Sequence, residues 1–104
     1  MASSPDFVTY VCEQLNGAGA VRFRKMFGEY MVYVDDRPVV LVCDDTVFMK
    51  KLPCLEELLS QNPTGTPYNG AKEHYILDPD DRTVLRAAAE LAKEVIPVPQ
   101  KRKK

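Results

Sequence analysis

The stretch Tyr30-Met31-Val32-Tyr33-Val34-Asp35-Asp36-Arg37-Pro38-Val39-Val40-Leu41-Val42-Cys43 decides the fold. Two unbroken apolar runs, Tyr30 to Val34 and Val39 to Cys43, are rich in β-branched and aromatic residues and read as strands. Asp35-Asp36-Arg37-Pro38 between them is a hairpin-like break. Upstream, Val21, Arg22, Phe23 and Arg24 alternate between apolar and cationic. Downstream, Asp44-Asp45 makes a second break before Val47, Phe48 and Met49. Parallel neighbours need a crossover of about a dozen residues or more, so these short connections predict an antiparallel meander. Successive side chains of a strand point to opposite faces, so an unbroken apolar run puts apolar groups on both. With helices mostly on one side, a second copy of the chain is expected to cover the other, giving a homodimer.

The flanks supply the helices. Ser4, Pro5 and Asp6 combine an N-cap hydroxyl, proline at the first helical position and an acid in the first turn. Phe7, Val8, Val11, Cys12 and Leu15 then share one face, and Gly17 ends the helix. Pro53 to Leu59 reads as a short helix with Leu55, Leu58 and Leu59 on one side. Asn62-Pro63-Thr64-Gly65-Thr66-Pro67 argues against regular structure, and His74 to Leu77 reads as a last short strand. Asp78-Pro79-Asp80-Asp81 predicts a helix start with Asp78 as N-cap, followed by a stripe of Val84, Leu85, Ala88, Leu91, Ala92 and Val95. Arg86 and Glu90 are spaced to pair on its exposed side. The fold class is therefore α+β: an N-terminal helix, an antiparallel meander of about four to five strands, a short helix and a C-terminal helix.

At 104 residues the chain is the size of one domain, read as residues 1–96 followed by a Pro-containing basic tail, 97–104, expected to be disordered. Hydrophobic residues at 45% and charged ones at 28% exclude a disordered or collagen-like chain. No apolar run reaches the roughly 20 residues of a membrane span, and Met1 to Asp6 has neither the basic nor the apolar region of a secretory signal. No membrane association and a cytoplasmic location are the expectation. The net charge is −1, but Lys101, Arg102, Lys103 and Lys104 offset a body at −5. Nucleic acid would therefore be met through that tail, in salt-sensitive contacts, which is one alternative for function.

Catalytic motifs are absent from the sequence: no GxSxG, HExxH or P-loop occurs. Cys12, Cys43 and Cys54 have neither redox nor zinc spacing and read as small buried hydrophobes. The aspartate pairs sit at turns and at a helix start, where they serve the backbone, and no window has calcium-loop spacing. No cofactor and no metal are expected. His74, the sole histidine, is the one acid-base candidate, and a pairing with Cys54 or a carboxylate defines a lesser alternative, a small enzyme. Cations and aromatics interleave only in Arg22-Phe23-Arg24-Lys25-Met26-Phe27-Gly28-Glu29-Tyr30. That segment is either a half-buried strand with a basic outer side or a docking site for an acidic protein or phosphates.

The run Arg24-Lys25-Met26-Phe27-Gly28, followed by Tyr30, Tyr33, the Asp35-Asp36 turn, Leu41-Val42 and Phe48-Met49-Lys50, resembles the N-terminal domain of the TfoX/Sxy family. The Phe7-to-Leu15 helix, Val21-Arg22, Pro67-Tyr68 and Tyr75 to Asp78 fit as well, so the similarity reaches to about Val95. The resemblance implies an α+β domain of secretion-chaperone-like shape. For full-length members it implies coactivation of bacterial competence genes together with the cyclic-AMP receptor protein. It carries over no catalytic residues. Glu29 and Met31 stand where the family often has glycine, and Asp36-Arg37 replaces a usual hairpin glycine. Full-length regulators carry a second, C-terminal domain, whereas this sequence stops after the last helix and is expected to act as a stand-alone domain. The expectation is a non-enzymatic regulatory module that contacts a protein partner, with transcription machinery as the candidate, through Arg22, Arg24, Lys25, Met26, Phe27, Gly28 and Tyr30.

Overall fold

A computed structural model describes residues 4–26 and 29–98. Helix α1 spans Pro5–Leu15, and the strands are β1 Val21–Met26, β2 Glu29–Val34, β3 Arg37–Cys43, β4 Thr46–Lys50, β5 Thr64–Gly65 and β6 His74–Leu77, with helix α2 over Arg82–Val95. The sheet order is β1-β2-β3-β4-β6-β5 and every pairing is antiparallel. The α+β class and the meander are as the sequence predicts.

Two-residue turns at Asp35-Asp36 and Asp44-Asp45 set the meander's register, and all four aspartates have φ between 52° and 66°. Tight hairpins need that left-handed backbone at both central positions, and aspartate tolerates it better than most residues. Between β2 and β3 the register shifts after Val32↔Val40 to Tyr33↔Pro38. The extra residue, Val39, forms a bulge, which accommodates a proline within a strand.

Both helices lie on one face of the sheet, where α1 packs on α2 and β1, and α2 on β3. There Val8, Val11, Leu15 and Leu85 close over Val32, Val34, Val40, Val42 and Val47, all fully buried. Ser4 caps α1 by accepting from Phe7 N, and Gly17 follows it at φ 109°.

Five local expectations are corrected. Helix α2 starts three residues late, with Asp81 and not Asp78 as N-cap. Asp78 Oδ1 instead accepts from Asp80 N at 2.9 Å, and the resulting turn docks on α1, where Gln14 donates to the Pro79 carbonyl at 2.8 Å and Tyr10 to Asp80. Residues 53–59 hold only a 3-10 turn at Pro53–Leu55, which buries Leu55 and Leu59 but leaves Leu58 exposed. Strand β5 forms inside the Asn62–Pro67 segment because β6 offers it an edge, with Ile76 N donating to the Pro63 carbonyl at 2.8 Å. Arg86 lies over Gly17, not beside Glu90, and Leu91 and Val95 of the predicted stripe face solvent.

Candidate functional site

Strand β1 is an outer strand of the sheet, so one of its backbone edges has no strand beside it. Arg22, Phe23, Arg24 and Lys25 on it are all exposed. The pairing with β2 divides them: Phe23↔Val32 and Lys25↔Tyr30 belong to the helix-covered face, while Arg22↔Tyr33 and Arg24↔Met31 belong to the other. The basic segment is therefore split across the sheet. The Arg22 guanidinium stacks 4.4 Å from the Tyr33 ring centre, and its Nε meets Asp36 Oδ1 at 3.2 Å. The side chains of Arg24 and Lys25 make no hydrogen bond or ion pair with any other described residue.

Phe23 is 42% exposed and rests edge-on against Tyr30, ring centres 5.6 Å apart. Tyr30 itself is only 5% exposed and belongs to the core, so Phe23 and not Tyr30 is the aromatic ring this strand exposes. Beside Phe23 a groove of about 570 Å³ runs between β1 and α1, lined by Cys12, Glu13 and Val21 among others. Of Met26 only the strand backbone is described. Phe27 and Gly28, like Lys101, Arg102, Lys103 and Lys104, lie outside the described residues.

The left-handed loop after α1 and the β2–β3 turn are tied together behind this strand. Asp35 accepts from Ala20 N at 2.9 Å and from Lys93 Nζ at 2.7 Å, and the same ammonium donates to the Ala18 carbonyl at 2.6 Å. The Lys93 bond, then the Ala20 N–H, hold the Asp35 carboxyl below its usual range. Gly19, at φ 153°, makes room for this: a Cβ there would sit 2.7 Å from Asp35 Oδ2. The sequence reading missed the cluster, since Asp35 and Lys93 are 58 positions apart and share no pattern.

Nucleophilic chemistry finds no support in the cysteines. Burial pushes the Cys12 thiol up to about 11 and Cys43 to about 12, so both stay protonated near neutral pH. The Cys54–His74 pairing of the lesser alternative does not form. Cys54 packs under α2 with its thiol 3.6 Å from the Leu91 carbonyl, whereas His74 belongs to the opposite face, edge-on to Phe48. The His74 Nδ1–H donates to the Lys72 carbonyl at 2.7 Å, and the neighbouring Glu73 is held by Thr64 Oγ1 at 2.6 Å and Lys51 at 3.2 Å. Among the described residues no cluster of His, Cys, Asp and Glu could hold a metal ion, and no helix is long and apolar enough to cross a membrane.

Residues 13–96 match the TfoX N-terminal domain family. The chain is also similar to a protein of Spirochaeta aurantia described as an uncharacterized 12.7 kDa protein in the trpE 5′ region, with 31% identity over 109 residues covering 99% of this chain and 91% of that one.

Proposed function

We propose for this chain, which belongs to the TfoX N-terminal domain family, the role of a non-enzymatic regulatory module that works in the cytoplasm by protein contact, with β1 as its docking strand. One observation carries the reading: an outer strand of six residues presents an open backbone edge together with Arg22, Arg24 and Lys25. An open edge is a template for another strand, and cations on both faces of the strand repel a second copy of the same edge. An extended acidic segment of a different protein satisfies both the edge and the charge. Phe23 and the groove toward α1 offer such a segment an apolar anchor beside the cations. A component of the transcription machinery is the partner that the family's regulators suggest.

The test is capture from a lysate of the source organism with the wild type and with the double variant Arg24→Glu/Lys25→Glu, each with and without nuclease. A transcription protein retained after nuclease and lost in the variant, with the thermal midpoint nearly unchanged, is the expected result. Equal loss of capture and of stability would return both residues to a structural role. Loss of every partner on nuclease treatment would transfer the function to nucleic-acid binding by Lys101, Arg102, Lys103 and Lys104. That alternative ends if a chain stopping at Gln100 binds DNA as tightly as the full chain at equal salt.

A further inference from the structure

The sheet forks on its helix-free face. Strand β3 pairs with β2 from Val42 back to Arg37, and β4 pairs with β6 out to Lys50. Between β3 and β4, however, the pairing ends at Leu41↔Phe48. Pro38 to Val40 on one side and Met49 to Lys50 on the other are thus unpaired with each other, and the unpaired stretch of β3 includes the Val39 bulge. A pocket of about 550 Å³ opens in this fork. That volume falls in the range of roughly 300–1,000 Å³ typical of small-molecule sites.

Its lining is chemically divided. Met31, Leu41 and Phe48 make an apolar floor, and Tyr68, on the segment that leads from β5 to β6, stands at the rim with its side exposed. Lys50, Lys51 and Lys72 border the opening. Lys51 is already paired with Glu73, whose other oxygen is taken by Thr64, so this acid and this base satisfy each other. Lys50 and Lys72 form no ion pair with any described residue. Two lysines without an ion pair to any described residue, lining the same pocket as an apolar floor, suit a ligand with one negative end and a hydrophobic body. The acidic body of the chain and the nearby Glu73 disfavour polyanions such as nucleotides.

We infer that this fork is a binding site for a small carboxylic acid with an aromatic or short aliphatic body, its carboxylate between Lys50 and Lys72 and its body on Leu41 and Phe48. The site is separate from the β1 edge and stands or falls independently of it.

The experiment follows backbone amide shifts of the ¹⁵N-labelled chain titrated with 4-phenylbutyrate and with its neutral counterpart 4-phenyl-1-butanol. The acid is expected to give saturable shifts at Leu41, Phe48, Lys50, Lys72 and His74. The alcohol, and the acid on a folded Lys50→Glu/Lys72→Glu variant, should each bind about tenfold more weakly, because the charge-assisted hydrogen bonds are lost. Lys25→Glu, on the helix-covered face, should leave the acid's affinity unchanged. Equal binding of acid and alcohol, shifts confined to the α1–β1 groove, or no saturation by about 10 mM would overturn the assignment. A light-scattering mass of twice 11.7 kDa, with the same amides insensitive to the acid, would give this face to a second copy instead.

Discussion

The two faces of the sheet are built from the same kind of residue and finished differently. On one, Val32, Val34, Val40, Val42 and Val47 meet Val8, Val11, Leu15 and Leu85, and every one of these is fully buried. On the other, Leu41, Cys43 and Phe48 form a smaller apolar centre with Met31 and Ile76 half-buried at its margin, and no described helix covers it. Cations border this second centre: Arg22 and Arg24 on β1, Lys50 at the end of β4 and Lys72 before β6. Apolar content alone therefore does not mark a core. What borders the apolar residues, a helix or charged side chains, distinguishes a face closed by packing from one left open.

The comparison breaks most readily by truncating one leucine on each face. Leu85→Ala should cost about 2–5 kcal/mol, because the lost side chain leaves a closed cavity under α2. Leu41→Ala should cost about 1–2 kcal/mol, since the fork already opens beside it and water fills the space. Denaturant unfolding measures both, and equal costs would mean that the second face is as closed as the first.

A smaller effect separates Asp35 from the exposed acids. Its carboxyl titrates lower folded than unfolded, so the unfolded chain binds more protons on acidification. The stability it contributes is fully present above its ordinary carboxylate range and is lost as pH falls through the lowered folded value. Thermal midpoints between pH 6 and pH 3 should fall less steeply in Lys93→Met than in the wild type, because the largest cause of the lowering is gone. Parallel curves would show that the Lys93 bond is not formed in solution.

The smallest effect sharpens the contrast between neighbours in one turn. Asp35 and Asp36 share the left-handed backbone, but Asp35 is clamped by Ala20 and Lys93 while Asp36 makes one exposed pair with Arg22. Asp36→Gly should raise stability by about 0.5 kcal/mol, the relief of φ 66° outweighing a surface ion pair. Asp35→Gly should lower it. Thermal unfolding of the two variants decides, and a shift of both in the same direction would contradict the clamp.

Much of the architecture was legible because its signals are local. The Ser4 cap, the two Asp-Asp turns and the apolar runs each act within a few residues. The failures share one cause, competition settled by a distant partner. Asp78 and Asp81 are equivalent N-caps by composition, and Tyr10 and Gln14 on α1 select Asp81 by holding the turn before it. Strand β5 has no strand signal of its own and exists because β6 is next to it. At the candidate site the cationic β1 segment was visible as a run of residue types. Its division between two faces depends on register, and Tyr30 passes from expected contact residue to core residue for the same reason.

From the sequence alone follow the α+β class, the antiparallel meander, the first helix with its cap, and the resemblance along most of the chain. These rest on short-range backbone preferences and on periodicity, which need no knowledge of what lies across the sheet. Only the tertiary structure decided that both helices share one face, that β3 and β4 part beyond Leu41 and Phe48, and that Lys50 and Lys72 come to border one pocket. Packing and register between residues far apart in the chain set those outcomes, and no local pattern encodes them.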